Sequence, residues 1–170
     1  GGHGSGFAGI LGRTLARGGE PLIRGGMDLA MRLLGEQFVA GRDIEEALER
    51  SRRRQRQGYR YSFDMLGEAA MCEADARAYL AAYEAAIHAI GQDAGRRGPK
   101  EANGVSIKLS ALHPRYAWSQ AARVRAELAP RLMELCRLAS QYDIGVSIDA
   151  EESDRLELSL DLFEAVARDP

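Results

Sequence analysis

The strings GVSIK at 104–108 and GVSID at 145–149 place nearly the same short text at two points in the chain. Apolar and polar residues alternate in both, the period of an extended strand whose two faces meet different surroundings. YRYSFDML at 59–66 alternates in the same way, with Tyr59, Tyr61, Phe63 and Met65 on one face and Arg60, Ser62 and Asp64 on the other. Helical patterns separate these strands. From 73 to 90, Ala76, Tyr79, Leu80, Tyr83, Ile87 and Ile90 form one stripe, and Gly91 offers a stop. Past Trp118, which is expected to anchor the helix it starts, Val124, Leu128, Leu132, Leu135 and Ala139 form a second stripe. Pro130 is set to kink that helix or begin another. EESDRLELSLDLFEAVA, from 151, is the third helix.

Strand followed by helix, three times over, implies right-handed crossovers and a parallel sheet, an α/β fold. Even spacing and shared strand text favour a (β/α)8 barrel over a doubly wound sheet. The latter carries a glycine-rich first turn, and DMLGEAA has a single glycine. A closed barrel takes about 250 residues. The chain from residue 59 therefore holds about three βα units, and a truncated barrel is expected over 59–170, behind a helical segment over 1–58. In that segment, Ile23, Met27, Ala30, Met31, Leu34 and Phe38 lie at helical spacing within 20–40, and Asp43 with Glu46 forms a capping box for a second helix.

Composition narrows the function classes. Lysine plus arginine number 23 against 25 acidic residues, a net charge of -2. Overall charge thus argues for neither nucleic acid nor anionic membrane, and the arginine run after Glu49 reads as a solvated helix end rather than a nucleic-acid site. Cys72 and Cys136 read as reduced, cytosolic thiols. No apolar run spans a bilayer, and no Cys/His spacing suggests a metal.

The alternation assigns the strand faces. Tyr61, Phe63, Val105, Ile107, Leu109, Val146 and Ile148 face the helices, while Ser62, Asp64, Ser106, Lys108, Ser147 and Asp149 face the barrel interior. Each strand thereby delivers one charge near its carboxyl end, where barrels of this class do chemistry. The three charges are expected at one height. One reading is a structural ion cluster, since a lone buried charge loses several kcal/mol of hydration. The other is a polar pocket for a small charged substrate. A Schiff-base lysine in an aldolase-type barrel is a further alternative, but flanking aspartates favour the charged ammonium, a poor nucleophile. His88 reads as a surface residue near a helix end, His113 as part of a hydrogen-bonded turn beside Pro114, and His3 as inert. Tyr79 and Tyr83 read as core.

YSFDMLGEAA, GVSIKLSALHPRY and IDAEESDRLELSLDLFEA resemble the proline dehydrogenase family, in the form found in bacterial bifunctional enzymes of proline utilisation. The stretch from Glu20 to Leu48 is similar to the helical segment preceding that barrel. The resemblance implies a distorted (β/α)8 barrel holding FAD and oxidising L-proline to Δ1-pyrroline-5-carboxylate, in the first step of proline catabolism to glutamate. It also implies a cytoplasmic enzyme, at the inner membrane face when it passes electrons to quinone, with NAD used only in a separate domain not present in this chain. By resemblance, Lys108 pairs with the substrate carboxylate, Asp149 and Ala150 lie beside the flavin, Asp64 lines the substrate end, and Glu68 closes the pocket as a gate. The residues alone make Glu68 only a dipole-favoured side chain at a helix start. The rest of the family pattern would lie beyond Pro170. The chain is therefore expected to be a fragment without flavin or turnover by itself, and its open edge favours self-association.

Overall fold

The computed structural model describes residues 26–27 and 39–169. The chain divides into two compact units, Gly1–Arg42 and Asp43–Pro170. The helix expected over 20–40 and His3 fall outside the described residues, save at 26–27 and 39–40. The helices and strands from Ile44 to Ala167 belong to the second unit.

Helix α1, Ile44–Gln55, opens where expected. The Asp43 side chain accepts the Glu46 N–H at 2.8 Å. Glu45 and Glu46 occupy its first turn and Arg52, Arg53 and Arg54 its last, both in accord with the helix dipole. There follow β1 (Ser62–Asp64), α2 (Glu73–Ala94), β2 (Gly104–Ile107), the short helix α3 (Leu109–Leu112), α4 (Ala121–Gln141), β3 (Val146–Ile148) and α5 (Leu156–Ala167). The strands form one parallel sheet in the order β1-β2-β3. Phe63 pairs with Val105, and Val105 with Val146. Parallel neighbours in chain order, each pair joined across a helix, are the opening units of a (β/α) barrel. Val105 and Ile107 are fully buried, in one core with Tyr83, Ile87 and Ile90 of α2 and Val124, Leu128, Leu132 and Leu135 of α4.

Several boundaries differ from the sequence expectation. The second strand stops at Ile107, and Leu109, Ser110, Ala111 and Leu112, all buried, form a helical turn instead. Helix α2 does not stop at Gly91 but runs to Ala94, where Gly95 takes the left-handed conformation at φ 57°. Gly91 serves packing instead: it is buried against the ring of Tyr142. Helix α4 runs through Pro130 unbroken. Trp118 is half exposed and opens a 3-10 turn that runs into α4, with the guanidinium of Arg125 on that helix 5.7 Å over its ring.

Candidate active site

Lys108 is the last extended residue of its segment, at φ −95° and ψ 120°, and caps α3. The strand's phase therefore persists through it although the ladder does not. Its Nζ donates to Asp64 and, at 3.1 Å, to Asp149 Oδ2. The other Asp149 oxygen accepts from the Ser106 hydroxyl. One ammonium and two carboxylates thus meet at the carboxyl ends of three parallel strands. They do not share one height. Asp64 pairs in register with Ser106, and Ser106 with Ser147, so Lys108 and Asp149 belong to the next layer. The long lysine side chain reaches down to bridge the two levels.

The lysine side chain is 16% exposed, against 29% for Asp149 and 45% for Asp64. Burial alone would pull its pKa down. The hydrogen bonds to Asp64 and Asp149, with their negative charge, outweigh that burial, and the net shift is upward. The group is held as an ammonium, which opposes the Schiff-base alternative. Two of its three N–H donors are engaged by the aspartates, leaving one to meet an incoming anion.

Tyr83 also belongs to the site, although its helical stripe marks it only as core. It is fully buried, and its hydroxyl accepts the Lys108 backbone N–H at 3.0 Å. Burial raises the tyrosine pKa, which keeps the phenol protonated.

Three loops converge beside this cluster. Ala69 N–H donates to the Ser110 hydroxyl at 3.1 Å, and Ala70 N–H to the Ser110 carbonyl at 2.9 Å. Ser110 N–H donates in turn to Glu151 at 3.0 Å. The loops after β1, β2 and β3 are thereby tied at one serine, a junction that no local sequence pattern announces. Glu68 rides on the first of these loops. It is exposed and precedes the helix, which begins at Glu73, so it is not at a helix start. Among the described residues it has no ion-pair partner. Ala150 is exposed at the end of β3.

His113 is buried. Its Nδ1 accepts from the Arg115 N–H at 3.1 Å and its Nε2 lies 3.0 Å from Glu127, so it organises the turn beside Pro114. His88 is exposed on α2 and meets the Tyr142 hydroxyl at 2.8 Å. In the arginine run, Arg52 pairs with Glu49 and Arg54 lies over Tyr59. Among the described residues no group of His, Cys, Asp and Glu is placed to hold a metal, and no helix is long and apolar enough to cross a membrane.

Residues 47–170 match the family model described as proline dehydrogenase. The bifunctional protein PutA of Escherichia coli (strain K12) is 59% identical over 160 residues, 94% of this chain and 12% of that protein. Proline dehydrogenase 1 of Bacillus subtilis (strain 168) is 30% identical over 133 residues, 78% of this chain and 39% of that protein. A crystallised proline utilization A variant from Bradyrhizobium japonicum superposes with a TM-score of 0.73 at 49% identity, over 94% of this chain and 16% of its own. The chain thus spans about an eighth of the length of the bifunctional relative and, by the extent and identity of these matches, belongs to the proline dehydrogenase family.

Proposed function

We propose that this chain contributes the first three βα units, over 59–170, of an FAD-dependent proline dehydrogenase that oxidises L-proline to Δ1-pyrroline-5-carboxylate. Helix α1, Ile44–Gln55, precedes these units in the chain. The observation that carries the reading is Lys108 held between Asp64 and Asp149 at the carboxyl ends of consecutive parallel strands.

The cluster suits a zwitterion. The spare donor on Lys108 takes a carboxylate, and the surplus negative charge of the two aspartates favours a cationic secondary amine nearby. Asp149 and Ala150 would meet the flavin from one side. The small, exposed Ala150 leaves room for a flat ring at the end of β3, which fits such a group. When bound, the flavin supplies the hydride acceptor. This chain's residues bind the amino acid and hold its ring in one orientation, which lowers the entropic part of the barrier. Glu68, unpaired among the described residues, would close the pocket as a gate.

The reading also places the protein in the cytoplasm, passing electrons to membrane quinone at the inner membrane face. NAD would serve only a separate domain. The isolated chain would self-associate through the apolar surface of α5.

The deciding experiment is Lys108→Ala in the intact gene product. Losing one charge-assisted hydrogen bond, worth about 1.5–3 kcal/mol, raises KM for L-proline roughly 10- to 100-fold. An unchanged KM would remove Lys108 from the substrate site.

A further inference from the structure

We propose that Tyr83 is a positioning residue for Lys108: its hydroxyl takes the backbone N–H that the sheet leaves without a partner at the end of β2, and so sets the direction in which the ammonium leaves the strand.

The ladder shows why the N–H is left over. In a parallel sheet, alternate residues of a central strand bond to alternate neighbours. Val105 N–H donates to Gly145 of the β3 side at 3.1 Å, and Ile107 O accepts from Asp149 N–H at 3.0 Å. Gly104 N–H donates to Tyr61 of the β1 side at 2.8 Å. The even-numbered residues of β2 therefore turn toward β1, and the regular partner of Lys108 would be the carbonyl of Met65. But β1 ends at Asp64, and its chain departs into the loop that carries Glu68. A buried amide cannot go unpaired without cost. The Tyr83 hydroxyl, at 3.0 Å, replaces the missing carbonyl.

The substitution of a phenol for a carbonyl has a geometric consequence. A continued β1 ladder would draw Met65 alongside Lys108 and carry Asp64 and the following loop with it. With Tyr83 in that place, β1 is free to turn away. Lys108 keeps its extended backbone while the next residue starts α3. Tyr83 is rigidly placed for this, being fully buried in α2 in the same core as Ile87, Val105 and Ile107. Its hydroxyl faces Lys108, with Asp64 and Asp149 the nearby carboxylates.

The hydrogen-bond role stands on geometry alone, whereas its effect on substrate rests on the proline dehydrogenase reading. The test separates the two. Tyr83→Phe, in the intact protein, keeps the ring and removes the acceptor. Amide hydrogen exchange at Lys108 is expected to quicken about tenfold, while Val105 and Leu128 exchange as before. KM for L-proline is expected to rise several-fold with kcat little changed, and Tyr83→Phe is expected to add nothing further in a Lys108→Ala background. Unchanged exchange at Lys108 overturns the proposal, and so does a uniform rise across the barrel, which would mark a packing role. If the unmutated protein oxidises no proline, the functional reading fails, and the exchange at Lys108 still decides the role of Tyr83.

Discussion

At the scale of single residues, Lys108 governs the site. Its place on the inward face is legible from alternation alone, because every second side chain of an extended segment points the same way. Its partners are legible by the same rule. What alternation cannot supply is register, so the layer offset between Asp64 and Asp149 emerges only from strand pairing. Tyr83 escapes notice for another reason: a tyrosine on a buried stripe reads as apolar bulk until the atom opposite its hydroxyl is known. The raised Lys108 pKa carries a pH prediction. A group whose folded pKa exceeds its unfolded value of 10.5 stabilises below that value and loses the contribution as pH rises through the folded pKa. The stability difference between the natural protein and Lys108→Met should thus be constant near neutrality and shrink at strongly alkaline pH. Urea titrations of both from neutral to strongly alkaline pH check it; a difference that stays constant throughout that range would refute the coupling.

At the scale of elements, the three strands, their helices and the Asp43 cap follow from period and capping chemistry. Boundaries do not, and Gly91 shows why. Glycine after a helical stripe has the local signature of a stop, yet the same residue is demanded wherever another element packs too closely for a side chain. Here a Cβ would lie 2.6 Å from Tyr142 Cβ, overlapping its ring. Helix propensity would reward Gly91→Ala by about 1 kcal/mol. Overpacking costs about 1–3 kcal/mol. The variant is therefore expected to be less stable, with a lower urea midpoint and an unchanged m-value. A rise in midpoint would show that Tyr142 moves aside freely. The end of β2 is a comparable case: LSAL continues the apolar text, but it folds as a helical turn.

At the scale of the whole molecule, the three described strands form an open sheet. Among the described residues β3 has no neighbour beyond β2, and Leu156, Leu160 and Phe163 line one exposed, apolar face of α5. Exposed strand edges and contiguous apolar faces favour association. The 170-residue chain is expected to sediment as concentration-dependent oligomers, and Leu160→Glu with Phe163→Glu should shift it toward monomer. A single monomeric species at every concentration would show that the α5 face drives no association.

Side-chain period, which is a local property of covalent geometry, is enough for the amino-acid order by itself to determine a parallel α/β unit, the inward face of each strand, and the residues carrying charge at its carboxyl end. Tertiary structure alone decided that Asp64 and Asp149 reach Lys108 from different layers, that Ser110 ties three loops together, and that a phenol on α2 finishes the ladder of β2. Those contacts join residues far apart in the chain, and their geometry depends on register and packing, which no local pattern encodes.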